Sequence, residues 1–121
     1  MSTPLLICDD SLMARKQAAR ALPDSWDVAV TFATNGVEGL QAIREGKGEM
    51  VLLDLTMPDM DGYQVLETIR NERLDTMVII ISGDIQPAAR ARVKQLGALD
   101  FIQKPVNPEK LASVLSTYGL I

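Results

Sequence analysis

The segment that decides the fold is MVLLDLTMPDMDG, residues 50–62, in which four apolar residues run directly into Asp54. A second apolar run, Leu5 to Cys8, ends in the acidic pair Asp9-Asp10. Because aspartate is disfavoured inside strands, both runs indicate strands that finish where the carboxylates begin. Like charges about 4 Å apart repel by roughly 4 kcal/mol at an effective dielectric constant near 20. A hard divalent cation with oxygen ligands is the simplest partner that offsets such repulsion.

Five short apolar or β-branched runs alternate with segments of helix length, and this alternation predicts five βα units. The third and fourth runs are apolar without alternation, which is typical of parallel strands covered by helices on both faces. We therefore expect an α/β fold, a doubly wound, five-stranded parallel sheet with right-handed crossovers. The predicted strands are Leu5–Cys8, Val28–Phe32, Met50–Leu53, Met77–Ile81 and Phe101–Ile102.

Helix signals occupy the intervals between the predicted strands. Ser11 is a capping residue for a first helix that ends at Pro23. In the second helix, Val37, Leu40 and Ile43 recur at helical spacing and are expected to face the sheet. The other predicted helices run from Asn35 to Arg44, from about Gly62 to Glu72, from about Pro87 to Leu96, and onward from Asn107-Pro108.

The whole chain limits the classes of function. Its 121 residues fit a single domain, residues 1–121. It contains no histidine, which excludes Ser-His and Cys-His nucleophile systems and histidine-ligated zinc. The net charge of −4 argues against nonspecific nucleic-acid binding. The only cysteine, Cys8, lies in an apolar run, and no apolar stretch approaches the roughly 18 residues of a membrane span. We therefore expect a cytoplasmic protein.

Polar residues follow the ends of four predicted strands, and in open parallel sheets ligands bind beyond those ends. These residues are Asp9 and Asp10, Asp54, Ser82-Gly83-Asp84, and Lys104-Pro105. Phosphoryl transfer to a carboxylate needs a metal ion, a fixed cation and a hydrogen-bond donor for the phosphoryl oxygens. Magnesium ligation by Asp10 and Asp54, pairing with Lys104 and donation by Ser82 would complete that set.

These residues, in this order and spacing, resemble the receiver domain of bacterial response regulators over the whole chain. The resemblance implies the CheY-like, flavodoxin-like (βα)5 fold with strand order 2-1-3-4-5. It also implies a signalling switch that takes a phosphoryl group from the phosphohistidine of a histidine kinase or phosphotransfer domain. Its chemistry would be limited to self-phosphorylation and dephosphorylation, so we expect no enzyme acting on a separate substrate.

The resemblance assigns a role to each site residue. Asp54 is the phosphoacceptor, and Lys104 and Ser82 contact the phosphoryl group. Ser82 and Phe101 are the switch residues, and Lys104 forms a cis peptide bond with Pro105. Asp84 and Thr56, the residue two positions after the acceptor, tune the phosphoryl lifetime. The metal is Mg²⁺, with Mn²⁺ as a substitute. Its implied ligands are Asp9, Asp10, Asp54 and the backbone carbonyl of Thr56.

The expected output surface is the face formed by helix 4, strand 5 and helix 5. It would bind a protein partner, as in chemotaxis, or a C-terminal effector domain of a longer regulator. Residues Leu111 to Tyr118 are nearly uncharged, which favours protein binding over DNA-binding dimers, so we expect no direct nucleic-acid and no membrane contact. Arg90, Arg92 and Lys94 on helix 4 are interpreted mainly as a solvated face.

Two other classes use similar parts. A haloacid-dehalogenase-like phosphatase also forms an aspartyl phosphate, but it carries an Asp-x-Asp motif after strand 1, whereas Asp9 and Asp10 are adjacent. A flavodoxin-like cofactor carrier needs Gly, Ser and Thr in the loop after strand 1, where the acidic pair would repel a phosphate.

Overall fold

The computed structural model describes residues 2–84 and 86–121, and within them five strands and five helices alternate. The strands form one parallel sheet in the order β2-β1-β3-β4-β5, which confirms the predicted fold class and strand order. The strands are β1 (Thr3–Cys8), β2 (Val28–Ala33), β3 (Met50–Leu53), β4 (Met77–Ser82) and β5 (Asp100–Gln103). The helices are α1 (Leu12–Ala21), α2 (Gly36–Arg44), α3 (Gly62–Glu72), α4 (Pro87–Gln95) and α5 (Pro108–Thr117).

Helices cover both faces of the sheet, and each face has its own apolar core. On one face, Leu53 packs in a cluster with residues of α2, α3 and α4. On the other, Leu52 packs with residues of α1 and α5. All four residues of β3 are buried, because this strand is central and helices lie above and below it. That position explains why residues 50–53 are apolar without alternation.

Short side-chain caps determine where most helices begin. Ser11 caps α1 by accepting a hydrogen bond from the Ala14 N–H at 3.2 Å. At α3, Asp61 and Gln64 form a reciprocal capping box, which satisfies two N–H groups that the helix leaves unpaired. The longest described helix, α3, has 11 residues, and no described helix has the length and apolar character to cross a membrane.

One predicted core residue is on the surface. Val37 was expected to face the sheet, but its side chain is 54% exposed, so this prediction was wrong. The buried face of α2 instead includes Gly36, Gly39 and Leu40. A Cβ at Gly39 would lie 2.9 Å from the Cys8 Sγ. The missing side chain therefore allows a close approach of α2 to β1, which turns Val37 outward.

Candidate functional site

Three carboxylates meet beyond the ends of β1 and β3. The Asp54 N–H donates to the Cys8 carbonyl at 3.0 Å, so the last residues of the two strands are aligned. Asp9 and Asp54 are buried and Asp10 is exposed. Carboxylate oxygens of all three lie within 4.8 Å of one another. This oxygen set, open to solvent on one side, fits Mg²⁺, which prefers carboxylate ligands and keeps several waters.

Lys104 brings a positive charge into the same cluster. It follows β5, and its backbone N–H donates to the Ser82 carbonyl at 2.8 Å. Its Nζ lies 2.8 Å from an Asp9 carboxylate oxygen and 3.4 Å from one of Asp54. The peptide bond between Lys104 and Pro105 is cis. The ammonium group therefore bridges the two buried carboxylates.

Ser82 lies at the same edge but inside the strand, since β4 ends at Ser82 rather than at the predicted Ile81. The residue is 2% exposed. Its Oγ accepts a hydrogen bond from the Asp84 N–H at 3.1 Å. Because the oxygen is the acceptor in that bond, the hydroxyl hydrogen remains a donor. The exposed Asp84 carboxylate accepts from the Gln86 N–H at 2.9 Å.

The loop after Asp54 places one methionine under the site. Thr56 is exposed, whereas Met57 is buried and its Sδ lies 3.6 Å from the Cys8 Sγ. Met60 is partly buried and also packs against the core, so both methionines contribute to the packing of this loop.

Phe101 is an interior residue of β5 and is paired in register with Ile80 of β4. Its side chain is 9% exposed. The Arg90 guanidinium lies over the ring, 4.5 Å from its centroid. A second guanidinium on the same helix, that of Arg92, lies 4.0 Å from the Tyr63 ring centroid. Two arginines that the sequence assigned mainly to a solvated face thus contact aromatic rings of β5 and α3.

Arg15 is the site neighbour that sequence reasoning missed. Its Nη1 donates to the Asp9 carbonyl at 2.8 Å, so it supports the backbone next to the carboxylates. The only sequence signal was its place in the first helical turn after Ser11, and such a basic residue usually indicates nothing more than a solvated surface.

The pKa values follow from burial and charge at this edge. Burial and the Asp9 charge raise the pKa of Asp54, although Lys104 opposes this shift. Burial lowers the pKa of Lys104, but the Asp9 hydrogen bond and the Asp54 charge outweigh it, so the pKa is raised. Lys104 is therefore a cation at neutral pH. Burial, followed by the Asp9 charge, raises the pKa of Cys8 to about 12, which keeps the thiol protonated and unreactive.

Asp54→Asn is expected to raise the free energy of unfolding of the metal-free protein at neutral pH. The raised pKa means that folded Asp54 still holds its proton at pH values where the unfolded chain has released it. Stability is therefore lost as the pH rises from the ordinary value of 3.8 through the raised one, and the full cost remains at higher pH. Asparagine does not ionise and avoids this cost.

Urea titrations of both proteins, from pH 7 down to about pH 4, measure the difference. The advantage of the variant should shrink as the pH falls. A gain that grew with acidity, or no gain at pH 7, would contradict the assignment of a raised pKa to Asp54.

Comparison with known proteins identifies relatives along nearly the whole chain. The family model for the response regulator receiver domain matches residues 5–116. The chemotaxis protein CheY of Listeria monocytogenes is 34% identical over 111 residues, which cover 92% of this chain and 93% of that protein. A protein-glutamate methylesterase/protein-glutamine glutaminase of Geobacter sulfurreducens is 37% identical over 102 residues, covering 84% of this chain and 27% of that protein.

A solved structure shares the fold at similar sequence identity. The signal receiver domain of the response regulator NarL from Mycobacterium tuberculosis aligns with a TM-score of 0.86 and 30% identity, over 97% of this chain and 95% of that one. The chain spans only 27% to 38% of the length of several curated relatives. These relatives are much longer than this chain, whereas CheY has nearly the same length. The relatives therefore do not share one kind of output.

The matched range, residues 5–116, contains Asp9, Asp10 and Asp54 as well as Ser82 and Lys104. Receiver domains of two-component response regulators are phosphoacceptors and bind Mg²⁺ at an acidic pocket, and here Asp9, Asp10 and Asp54 form such a cluster. This match decides against the phosphatase and flavodoxin-like alternatives. The chain belongs to the response regulator receiver domain family.

Proposed function

We propose that this protein is a phosphoacceptor switch in which Asp54 receives a phosphoryl group from the phosphohistidine of a histidine kinase or phosphotransfer domain. The observation that carries this proposal is the position of the buried Asp54 carboxylate, 3.4 Å from the Lys104 Nζ and clustered with Asp9 and Asp10. Phosphoryl transfer depends mainly on positioning and on neutralising the phosphoryl oxygens. This edge offers both.

In the transfer step, an Asp54 carboxylate oxygen forms the new bond to phosphorus while the bond between phosphorus and the donor imidazole nitrogen breaks. The nitrogen keeps the electron pair of that bond. Asp54 must be ionised to act as the nucleophile. Because its pKa is raised, the ionised carboxylate is a stronger base than that of an ordinary exposed aspartate. Lys104 reaches from Asp9 and Asp54 to one oxygen of the arriving group and stabilises its charge.

The metal ligands of the proposal are Asp9, which would act mainly through water, Asp10, Asp54 and the Thr56 backbone carbonyl. When bound, Mg²⁺ or Mn²⁺ would neutralise charge on the phosphoryl oxygens. Thr56 and Asp84 are exposed on the loops beside Asp54. We propose that these two side chains set how readily water reaches the aspartyl phosphate, and therefore how long the signal lasts. The reaction is confined to the protein itself.

The switch residues connect this edge to the interior of β5, where Phe101 lies. We propose that the Ser82 hydroxyl donates to the phosphoryl group and moves towards Asp54. This movement frees space beside β4, which favours the buried position of the Phe101 ring. Phe101 lies in a groove between α4, β5 and α5 that also includes Arg90, Lys110 and Val114. Phosphorylation would therefore alter this face.

We propose that the output is a protein contact of the chemotaxis type on the face formed by α4, β5 and α5. Glu109 and Lys110 are the charged residues of α5, and both lie in its first turn, which leaves little charge for the salt-bridged dimers of DNA-binding regulators. An effector domain in a longer regulator could use the same face. The proposal includes no direct nucleic-acid or membrane contact and a cytoplasmic location, where the free thiol of Cys8 stays reduced.

Labelling by acetyl phosphate tests the site directly. Wild-type protein is expected to take up about one phosphoryl group per chain with Mg²⁺, and to lose at least about 90% of that labelling in a chelator. Mn²⁺ should restore it. Asp10→Asn should raise the Mg²⁺ concentration at half-maximal labelling at least about tenfold, since one metal ligand becomes neutral.

Asp59→Asn is the matched control, because Asp59 is an exposed acid in the nearby loop with a positive φ of 68°, which asparagine also adopts readily. Its Mg²⁺ requirement should equal that of the wild type. Full labelling in the chelator, or an unchanged requirement in Asp10→Asn, would refute the metal-assisted mechanism.

A further inference from the structure

Few buried side chains hold helix α4 to the rest of the protein. Its buried residues are Ala89 and Val93, two small side chains. Within the described part of the chain, its N-cap residue, Gln86, makes no side-chain cap hydrogen bond, whereas α3 has a complete capping box. A helix with so small an apolar face depends more than its neighbours on contacts made by its exposed residues.

Two arginines of α4 provide such contacts on opposite sides. The Arg90 guanidinium covers the Phe101 ring of β5 at 4.5 Å. The Arg92 guanidinium covers the Tyr63 ring of α3 at 4.0 Å and lies 3.9 Å from Glu67. A guanidinium within about 6 Å of a ring centroid is attracted to the ring face. Each arginine therefore links α4 to a different neighbour.

We propose that Arg90 is a positioning residue for the switch: by stacking on Phe101 it holds the ring in its buried position and sets the resting balance between buried and exposed ring. The proposal rests on the function assigned above to Asp54 and Phe101. The ring is 9% exposed, and Arg90 lies on its outer side in the groove between α4 and β5. An outward movement of the ring would break this contact.

The same contact would act on phosphorylation through linkage. If phosphorylation of Asp54 favours the buried ring, any contact that favours the buried ring also favours phosphorylation, by the factor by which it raises the population of the buried ring. A cation–π contact at a partly exposed site shifts an equilibrium about two- to fivefold. Arg90 would therefore adjust the response of the switch and would not act as an on-off element.

Phenylalanine NMR measures the ring position without any phosphorylation. The chain has two phenylalanines, and Phe32 is 51% exposed, so it is an internal standard for an exposed ring. Protein with ¹³C-labelled phenylalanine rings, free of metal and phosphodonor, is titrated with a soluble gadolinium chelate. In Arg90→Gln, the relaxation enhancement of Phe101 relative to Phe32 is expected to rise about two- to fivefold, and Arg90→Lys should restore part of the protection. Side-chain couplings of Phe101 should show a shift of its χ1 rotamer populations in the same variant, and an unchanged rotamer would mean that the ring was only uncovered, which would overturn the proposal.

Arg92→Gln is the matched control, because it removes the same side chain from the same helix but uncovers Tyr63. Arginine, lysine and glutamine have similar helix propensities, so all variants should unfold at similar urea concentrations. An unchanged Phe101 signal in Arg90→Gln would overturn the proposal. Equal exposure of Phe101 in Arg92→Gln would also overturn it, since the effect would then be a general loosening of α4.

Labelling by acetyl phosphate tests the coupling to Asp54. Arg90→Gln should lower the labelled fraction at subsaturating donor in proportion to the fall in the population of the buried Phe101 ring, while Arg92→Gln should leave it at the wild-type level. An exposed ring with unchanged labelling would overturn the positioning role. Failure of the phosphoacceptor assignment itself would appear differently, as labelling that persists in Asp54→Asn, and would not affect the NMR result.

Discussion

The Asp54→Asn protein is expected to take up almost no phosphoryl group from acetyl phosphate in magnesium buffer, with a labelling rate at least about a hundredfold below wild type. An amide oxygen is a poor nucleophile towards phosphorus, and the neutral side chain also removes one metal ligand. The neighbouring carboxylates do not replace it. Asp9 is already paired with the Lys104 Nζ at 2.8 Å, and Asp10 is exposed.

Intact-protein mass spectrometry after a fixed reaction time gives the labelled fraction. The Asp59→Asn protein is the control for a change of charge in the same segment, and it should label like the wild type. Circular dichroism should show that the Asp54→Asn protein is folded, because the Asp54 carboxylate of the wild type destabilises the fold at neutral pH and the variant lacks it. Labelling at the wild-type rate would mean that another carboxylate is the acceptor.

Gly62→Ala is expected to lower the free energy of unfolding by about 2 kcal/mol. A Cβ at Gly62 would overlap the Asp54 carbonyl oxygen and lie 2.8 Å from the Leu55 Cα. Both are backbone atoms, which cannot rotate out of the way, and the Gly62 N–H is tied to the Leu55 carbonyl at 2.9 Å. Overpacking of this kind costs about 3 kcal/mol. The better helix propensity of alanine offsets about 1 kcal/mol of this cost.

Urea titration measures the stability change, and Gly83→Ala is the control. Among the described residues, no atom lies within 4 Å of a Cβ built at Gly83, so the free energy of unfolding of Gly83→Ala should stay within about 0.5 kcal/mol of wild type. Gly62→Ala should also label more slowly with acetyl phosphate, because its added methyl group displaces the backbone of Asp54 and misplaces the nucleophile. Equal midpoints for the two variants would show that the loop after β3 yields without cost.

Much of the fold was predictable because burial leaves a direct pattern in the chain. Residues 50–53 are apolar without alternation since β3 is covered on both faces, and Asp54 marks the end of that strand. The same reasoning placed the acidic pair after β1. Parallel strands end at one edge, so the meeting of Asp9, Asp10 and Asp54 followed from the topology.

The errors arose where the sequence pattern allowed more than one packing. Helical spacing placed Val37 on the inner face of α2, but the glycine at position 39 permits a closer approach to Cys8 and rotates that face. The bounds of β1, β2, β4, β5 and α4 were misjudged by one or two residues, because strand and helix ends depend on hydrogen bonds to other elements as much as on local preference.

By itself the sequence determined the order of strands and helices, the central strands and the carboxylates at their ends, since these depend on local backbone preference and on the period of burial. Only the tertiary structure decided the contacts between side chains far apart in the chain. The Lys104 Nζ between Asp9 and Asp54 and Arg90 over Phe101 are examples. Such contacts depend on strand register and on how closely each helix packs, and these are properties of the whole fold.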